Sequence, residues 1–91
     1  MWARRMPTIS IFYGIVVRMF FNDHAPPHFH AQYGEFTAEV AIDTLVVLRG
    51  ALPRRALGLV LDWAELHRAE LLQNWELCRQ HRHPQQIAPL Q

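Results

Sequence analysis

Along the chain the spacing of apolar and polar positions changes, and each change predicts an element. Thr8 to Tyr13 and Ile15 to Phe21 are dense in β-branched and aromatic residues and are parted by Gly14, which predicts two strands joined by a tight turn. Asn22 to Pro27 carries Asn, Asp and a Pro-Pro pair, residues that cannot extend a ladder and that stiffen a loop. From His28 to Asp43 the alternation is centred on Gly34-Glu35, a Gly-X pair suited to a two-residue type II′ turn. That turn sets Tyr33 opposite Phe36, Ala31 opposite Ala38 and Phe29 opposite Val40 on an apolar side. It sets Gln32 opposite Thr37, His30 opposite Glu39 and His28 opposite Ala41 on the other. A one-residue slip would mix the two faces, so the pattern fixes the register. Leu45 to Arg49 reads as a further strand. Pro53, at a helix's first position, then opens a long stretch in which Leu57, Val60, Leu61, Ala64, Leu71, Trp75 and Cys78 recur at three- and four-residue spacing. Leu59, Trp63 and Leu66 add a second apolar side, which calls for a bend near Leu66 to Arg68 or for a partner.

These elements predict an α+β fold: an antiparallel sheet of four to five strands with a C-terminal helix, bent or split, packed on one face. The other face is left free. Ninety-one residues suit one domain, 1–91, with 1–5 as an N-terminal extension and the polar stretch 84–91 as a loose tail. Half of the residues are apolar, which belongs to a chain that folds. A single cysteine, Cys78, excludes an internal disulfide and a cysteine-based zinc site, and a reducing cytoplasm is the expected location. Arg4 and Arg5 before the apolar run Ile9 to Val17 imitate a secretory leader, but Ser10 and Gly14 interrupt the run and no small-residue cleavage pattern follows. The run is also too short to span a bilayer, so no membrane association is expected. A net charge of +1 argues against a broad electrostatic surface for nucleic acid, while local patches stay open. All nine basic residues are Arg, the side chain that pairs bidentately with carboxylate and phosphate; genome composition explains the bias equally well.

The chemistry concentrates in Asp23-His24-Ala25-Pro26-Pro27-His28-Phe29-His30. His28 and His30 stand two apart on a strand and project to one side, with Glu39 across from His30 and diagonal to His28. Arg18 alternates with Val17 and Met19 and can reach the same face from the neighbouring strand. One use of this set is a divalent-metal site, with His24, His28 and His30 supplying nitrogen and Asp23 or Glu39 oxygen, suited to Zn, Fe or Mn. Another is metal-free acid–base catalysis by His28, His30 and Glu39, with Arg18 holding a phosphate or carboxylate. On RNA, one such group would take the 2′-hydroxyl proton, a second would protonate the leaving oxygen, and Arg18 would stabilise the developing charge. The same residues also suit a plain structural role, as half-exposed histidines paired with Glu39 across the sheet.

Arg54 and Arg55 fall in the first helical turn, where the helix dipole favours anions, and with Arg49 they form a candidate partner- or anion-binding group; solvated surface arginines are the simpler account. His81 and His83 complement the C-terminal dipole, and Trp63 and Trp75 fit the core pattern.

Met6-Pro-Thr-Ile, Phe20-Phe-Asn-Asp-His-Ala-Pro-Pro-His-Phe-His, Tyr33-Gly-Glu and Leu52-Pro-Arg-Arg-Ala-Leu together resemble a family of small prokaryotic proteins of unknown function marked by a PPHFH motif. The resemblance runs from Met6 to about Leu90. It carries no established activity, but such proteins are often encoded beside a second small domain of unknown function. The resemblance therefore implies a two-gene, toxin-antitoxin-like module with a small cognate protein as partner and RNA or another phosphate-bearing molecule as target. A non-catalytic partner-binding or metal-binding module is the alternative, and a homo-oligomer is compatible with either.

Overall fold

A computed structural model describes residues 6–91; the expected extension at 1–5 lies outside them. Five strands form one antiparallel sheet in sequence order: β1 (Thr8–Phe12), β2 (Ile15–Arg18), β3 (His28–Tyr33), β4 (Phe36–Ala41) and β5 (Val47–Gly50). Two helices follow, α1 (Arg54–Leu66) and α2 (Arg68–Arg79). This is an α+β fold. Among the described residues no helix is long and apolar enough to cross a membrane.

Turn chemistry sets the sheet. Between β1 and β2, Tyr13 and Gly14 both take positive φ, 50° and 79°, the signs a type I′ hairpin turn demands. Between β3 and β4, Gly34 takes φ 59°, a position a side chain would strain, and the register that follows is the one the alternation predicts, from His28↔Ala41 through His30↔Glu39 to Tyr33↔Phe36. β2 is shorter than its composition suggests. It leaves the sheet after Arg18, where β1 runs out of partners at Thr8, and Phe20 and Phe21 serve tertiary contacts to His30, His81 and His83 instead. At the far side Gly50 (φ 78°) sits so close to β4 that a Cβ there would lie 2.2 Å from the Thr37 carbonyl oxygen, so β5 tolerates no side chain at this point.

The helical stretch divides at His67, which leaves helical geometry (φ −121°, ψ 25°), and Pro53 stands one residue outside α1 as its cap. The His67 ring pairs with Glu70 in the first turn of α2, and its backbone still receives the Leu71 N–H. One face of the sheet, carrying Val17, Phe29, Ala31, Ala38 and Val40, packs with Val60, Trp63, Ala64 and Leu71 into the core. Trp63 is fully buried at its centre, with Phe12 and Phe29 ring centroids 5.2 and 5.8 Å away.

The second apolar side of α1 is covered only in part from within the chain, since Trp63 is buried while Leu66 stays exposed. Residues 84–91, expected to be loose, are docked: Ile87 is buried and its N–H donates to the Ile9 carbonyl at 2.8 Å, and Trp63 Nε1 donates to the Ala88 carbonyl at 2.8 Å. Buried Asn74 on α2 anchors the same segment by exchanging two 2.8 Å bonds with the backbone of Gln85. Backbone groups that would cost free energy if buried unpaired find partners here, which is what orders a largely polar tail.

Candidate functional site

The open sheet face is organised by register. Arg18 pairs with His30, His30 with Glu39 and Glu39 with Arg49, so one row of polar side chains crosses β2, β3, β4 and β5. Gln32 and Thr37 form part of the next row, and the Arg18 guanidinium donates to Gln32 Oε1 at 2.6 Å. On either side of His30 the face is concave. A cavity of about 190 Å³ is lined by residues including Arg18, Phe20, His30 and Gln32, and a second of about 90 Å³ by His30, Thr37, Glu39 and Arg49 among others. The Phe20 ring meets His30 edge-on, 4.5 Å between centroids, and steadies its orientation.

Above the start of β3 the stiff Asn22–Pro27 loop, with a cis Ala25-Pro26 peptide, returns Asp23 to the strand. Asp23 Oδ2 lies 3.0 Å from His28 Nε2 and 3.2 Å from His30 Nε2. Its other oxygen receives the backbone N–H of His24 at 2.8 Å and faces His24 Nδ1 at 2.9 Å. Burial pushes the Asp23 carboxyl up, but the hydrogen bond with His30, the His24 N–H and the attraction that His28 and His30 exert in their protonated forms outweigh it and hold the group below its ordinary value.

His28 departs from the expectation that both strand histidines stand on an open face. It is 1% exposed, because the loop covers the beginning of β3 and the Trp75 ring of α2 lies 5.3 Å from its own. Its Nδ1 is 2.7 Å from the Pro26 carbonyl oxygen, and its Nε2 is buried without a hydrogen bond of acceptable geometry. Glu39 Oε1 is 3.7 Å from that nitrogen.

Of the residues read as metal ligands, Asp23, His28 and His30 bring ligand atoms within 4.8 Å of one another. His24 stays at the rim with its side chain 73% exposed. Of the acid–base set, His30, Glu39 and Arg18 share the row, whereas His28 lies beneath the loop. The three arginines read as one group are divided: Arg49 joins the polar row with its Nε 3.9 Å from Glu39 Oε2, Arg55 lines a groove at the start of α1, and Arg54 is exposed beside it. Sequence reasoning missed the Pro26 carbonyl, a backbone group with no side-chain signal, and placed Trp75 in the core without its contact to His28.

Compared with known families, residues 14–76 match a domain of unknown function, DUF4160. The chain belongs to this DUF4160 family. The match begins at the β1–β2 turn and ends within α2, so the DUF4160 region holds the whole of the Asp23, His28 and His30 cluster and the polar row. Comparison with curated proteins and with solved structures gives no match.

Proposed function

We propose that this DUF4160 protein is a cytoplasmic member of a two-gene, toxin-antitoxin-like module that acts on RNA or a related phosphate-bearing target through its open sheet face. The observation that supports this reading is the cross-strand row Arg18, His30, Glu39, Arg49, in which one imidazole stands between a guanidinium and a carboxylate and borders two cavities. In this reading Glu39 and His30 divide the proton transfers of phosphodiester cleavage, one taking the 2′-hydroxyl proton and the other protonating the leaving 5′-oxygen. Arg18, held by Gln32, neutralises the phosphate, with Arg49 closing the far side. His28, buried beneath the loop and held at the Pro26 carbonyl, has no role in this cleavage.

The test joins cells and chemistry. Expressed without its genomic neighbour, the protein slows growth, and the purified protein cleaves single-stranded RNA to 2′,3′-cyclic phosphate ends. His30→Ala abolishes both while the variant remains folded. Purified protein that leaves RNA intact, with normal growth on expression, refutes the reading.

A second reading, a partner-binding module, is favoured by one observation: a groove of about 340 Å³ at the opposite end of the sheet, lined by Tyr13, Tyr33, Arg55 and apolar residues. Tyr and Arg are the side chains that anchor protein interfaces. If this surface holds a cognate protein, replacing Arg54 and Arg55 together by Ala weakens that complex while His30→Ala leaves it intact.

A further inference from the structure

We infer that Asp23, His28 and His30 form a mononuclear centre for a divalent first-row transition-metal ion, set under the loop beside the polar row. The inference goes beyond the phosphate-directed reading and does not need it, although both use His30.

His28 decides the matter. Its Nδ1 faces a carbonyl oxygen, which can only accept, so Nδ1 carries the proton and donates it to Pro26. In the neutral ring the lone pair is then on Nε2, and this atom is buried, lacks a hydrogen bond, and has carboxylate oxygens 3.0 Å away on Asp23 and 3.7 Å away on Glu39. A lone pair held against two acceptors is repulsive unless something positive lies between them. A second proton on Nε2 would need the Asp23 oxygen along the N–H direction, and the contact misses that alignment. A metal ion has no such requirement: it sits off the line joining the two atoms and accepts both lone pairs.

Distances agree. Zinc–nitrogen and zinc–oxygen bonds of about 2.0–2.1 Å in a tetrahedron put neighbouring ligand atoms about 3.3 Å apart. Asp23 Oδ2 is 3.0 and 3.2 Å from the two imidazole nitrogens, and the 3.2 Å contact to His30 is long for a charge-assisted hydrogen bond, which runs to about 2.7–2.9 Å. The supporting shell is also in place. The Pro26 carbonyl fixes the His28 tautomer from behind, and the His24 N–H holds the carboxylate oxygen that does not ligate. Two imidazoles and one carboxylate select Zn²⁺, Fe²⁺ or Mn²⁺ over Ca²⁺ and Mg²⁺, and three protein ligands leave a further coordination position open. Glu39, 3.7 Å from His28 Nε2, stands at that position's edge as a fourth ligand or as the base for a bound water.

The test uses the full chain purified without a histidine tag and stripped with a chelator. Titration with Zn²⁺, and with Co²⁺ as a spectroscopic substitute, gives one equivalent bound, a visible Co²⁺ absorption band of a low-coordinate site, and a raised melting temperature; Mg²⁺ gives none of these. Because His28 is buried and its removal can unfold the chain, the deciding variants are His30→Ala and Asp23→Asn. Each lowers Zn²⁺ affinity by more than the 10–100-fold typical of losing a supporting residue, while His81→Ala leaves it unchanged. Failure of the wild-type protein to take up Zn²⁺ or Co²⁺, or uptake at wild-type affinity by both variants, overturns the centre. Metal uptake without RNA cleavage supports the centre and refutes the phosphate-directed reading. RNA cleavage by protein that binds no metal does the reverse.

Discussion

The two faces of the sheet are made by the same five strands and differ in what each position can tolerate. On the helix face Phe29, Val17 and Val40 are fully buried among side chains that offer no polar partner, and their contribution is burial and close packing. On the open face the row from Arg18 to Arg49 is partly solvated, and its members are held by register and by single polar contacts such as Arg18 to Gln32. The contrast teaches where stability and chemistry are separable. A change on the helix face is read first as unfolding, and a change on the open face first as a change at the candidate site. His28 breaks the rule, since it projects to the polar side yet is as buried as the core.

The largest effect should come from the helix face. Phe29→Ala removes a fully buried ring beside Trp63 and is expected to cost about 3–5 kcal/mol, a large part of the stability of so small a domain, as read by urea unfolding. A loss no greater than that of His30→Ala would abolish the distinction between faces. Next comes acid. Folding holds the Asp23 carboxyl below its ordinary value of 3.8, so the ionised form is favoured in the native state. Its stabilisation is present above the ordinary value and is lost as pH falls through the lower native value. Metal-free wild-type protein should therefore lose more stability on acidification in that window than Asp23→Asn, which has no such proton to take up. Smaller still, Arg49→Ala on the open face should change stability by no more than about 0.5 kcal/mol, since its guanidinium is largely exposed and its ion pair is loose, while weakening any RNA contact. The smallest response belongs to Cys78. Burial pushes its thiol up to about 11, so at neutral pH native protein should resist alkylation and react only once unfolded.

How far the sequence discloses this molecule depends on whether the deciding interaction is local. The β3–β4 register is legible because a Gly-X turn and the alternation of Phe29, Ala31 and Tyr33 with His28, His30 and Gln32 demand the same pairing. The break between α1 and α2 is legible as a region, since two apolar sides cannot both face one sheet, but its position at His67 follows from a contact with Glu70. The end of β2 is not: Phe20 and Phe21 have strand propensity, and tertiary contacts take them elsewhere. For the candidate site, the sequence places His30, Glu39 and Arg18 together through strand parity alone. It does not reveal that His28 is covered, because that depends on Trp75, 47 residues further on.

The docked tail has a consequence for the order in which the structure assembles. Every strand pairs with its neighbour in sequence, so the sheet can grow hairpin by hairpin, each step closing a short loop. The tail's contact with β1 is of another kind, since Gln86 and Thr8 are 78 residues apart and meet only after the sheet and both helices are in place. Ile87 should therefore join last and detach first, in an opening that uncovers Trp63 while leaving the hairpins intact. Slow hydrogen exchange would then be graded along the chain, deepest in β3 and β4 and shallowest at the Ile87 amide, although that amide makes a 2.8 Å bond to the Ile9 carbonyl.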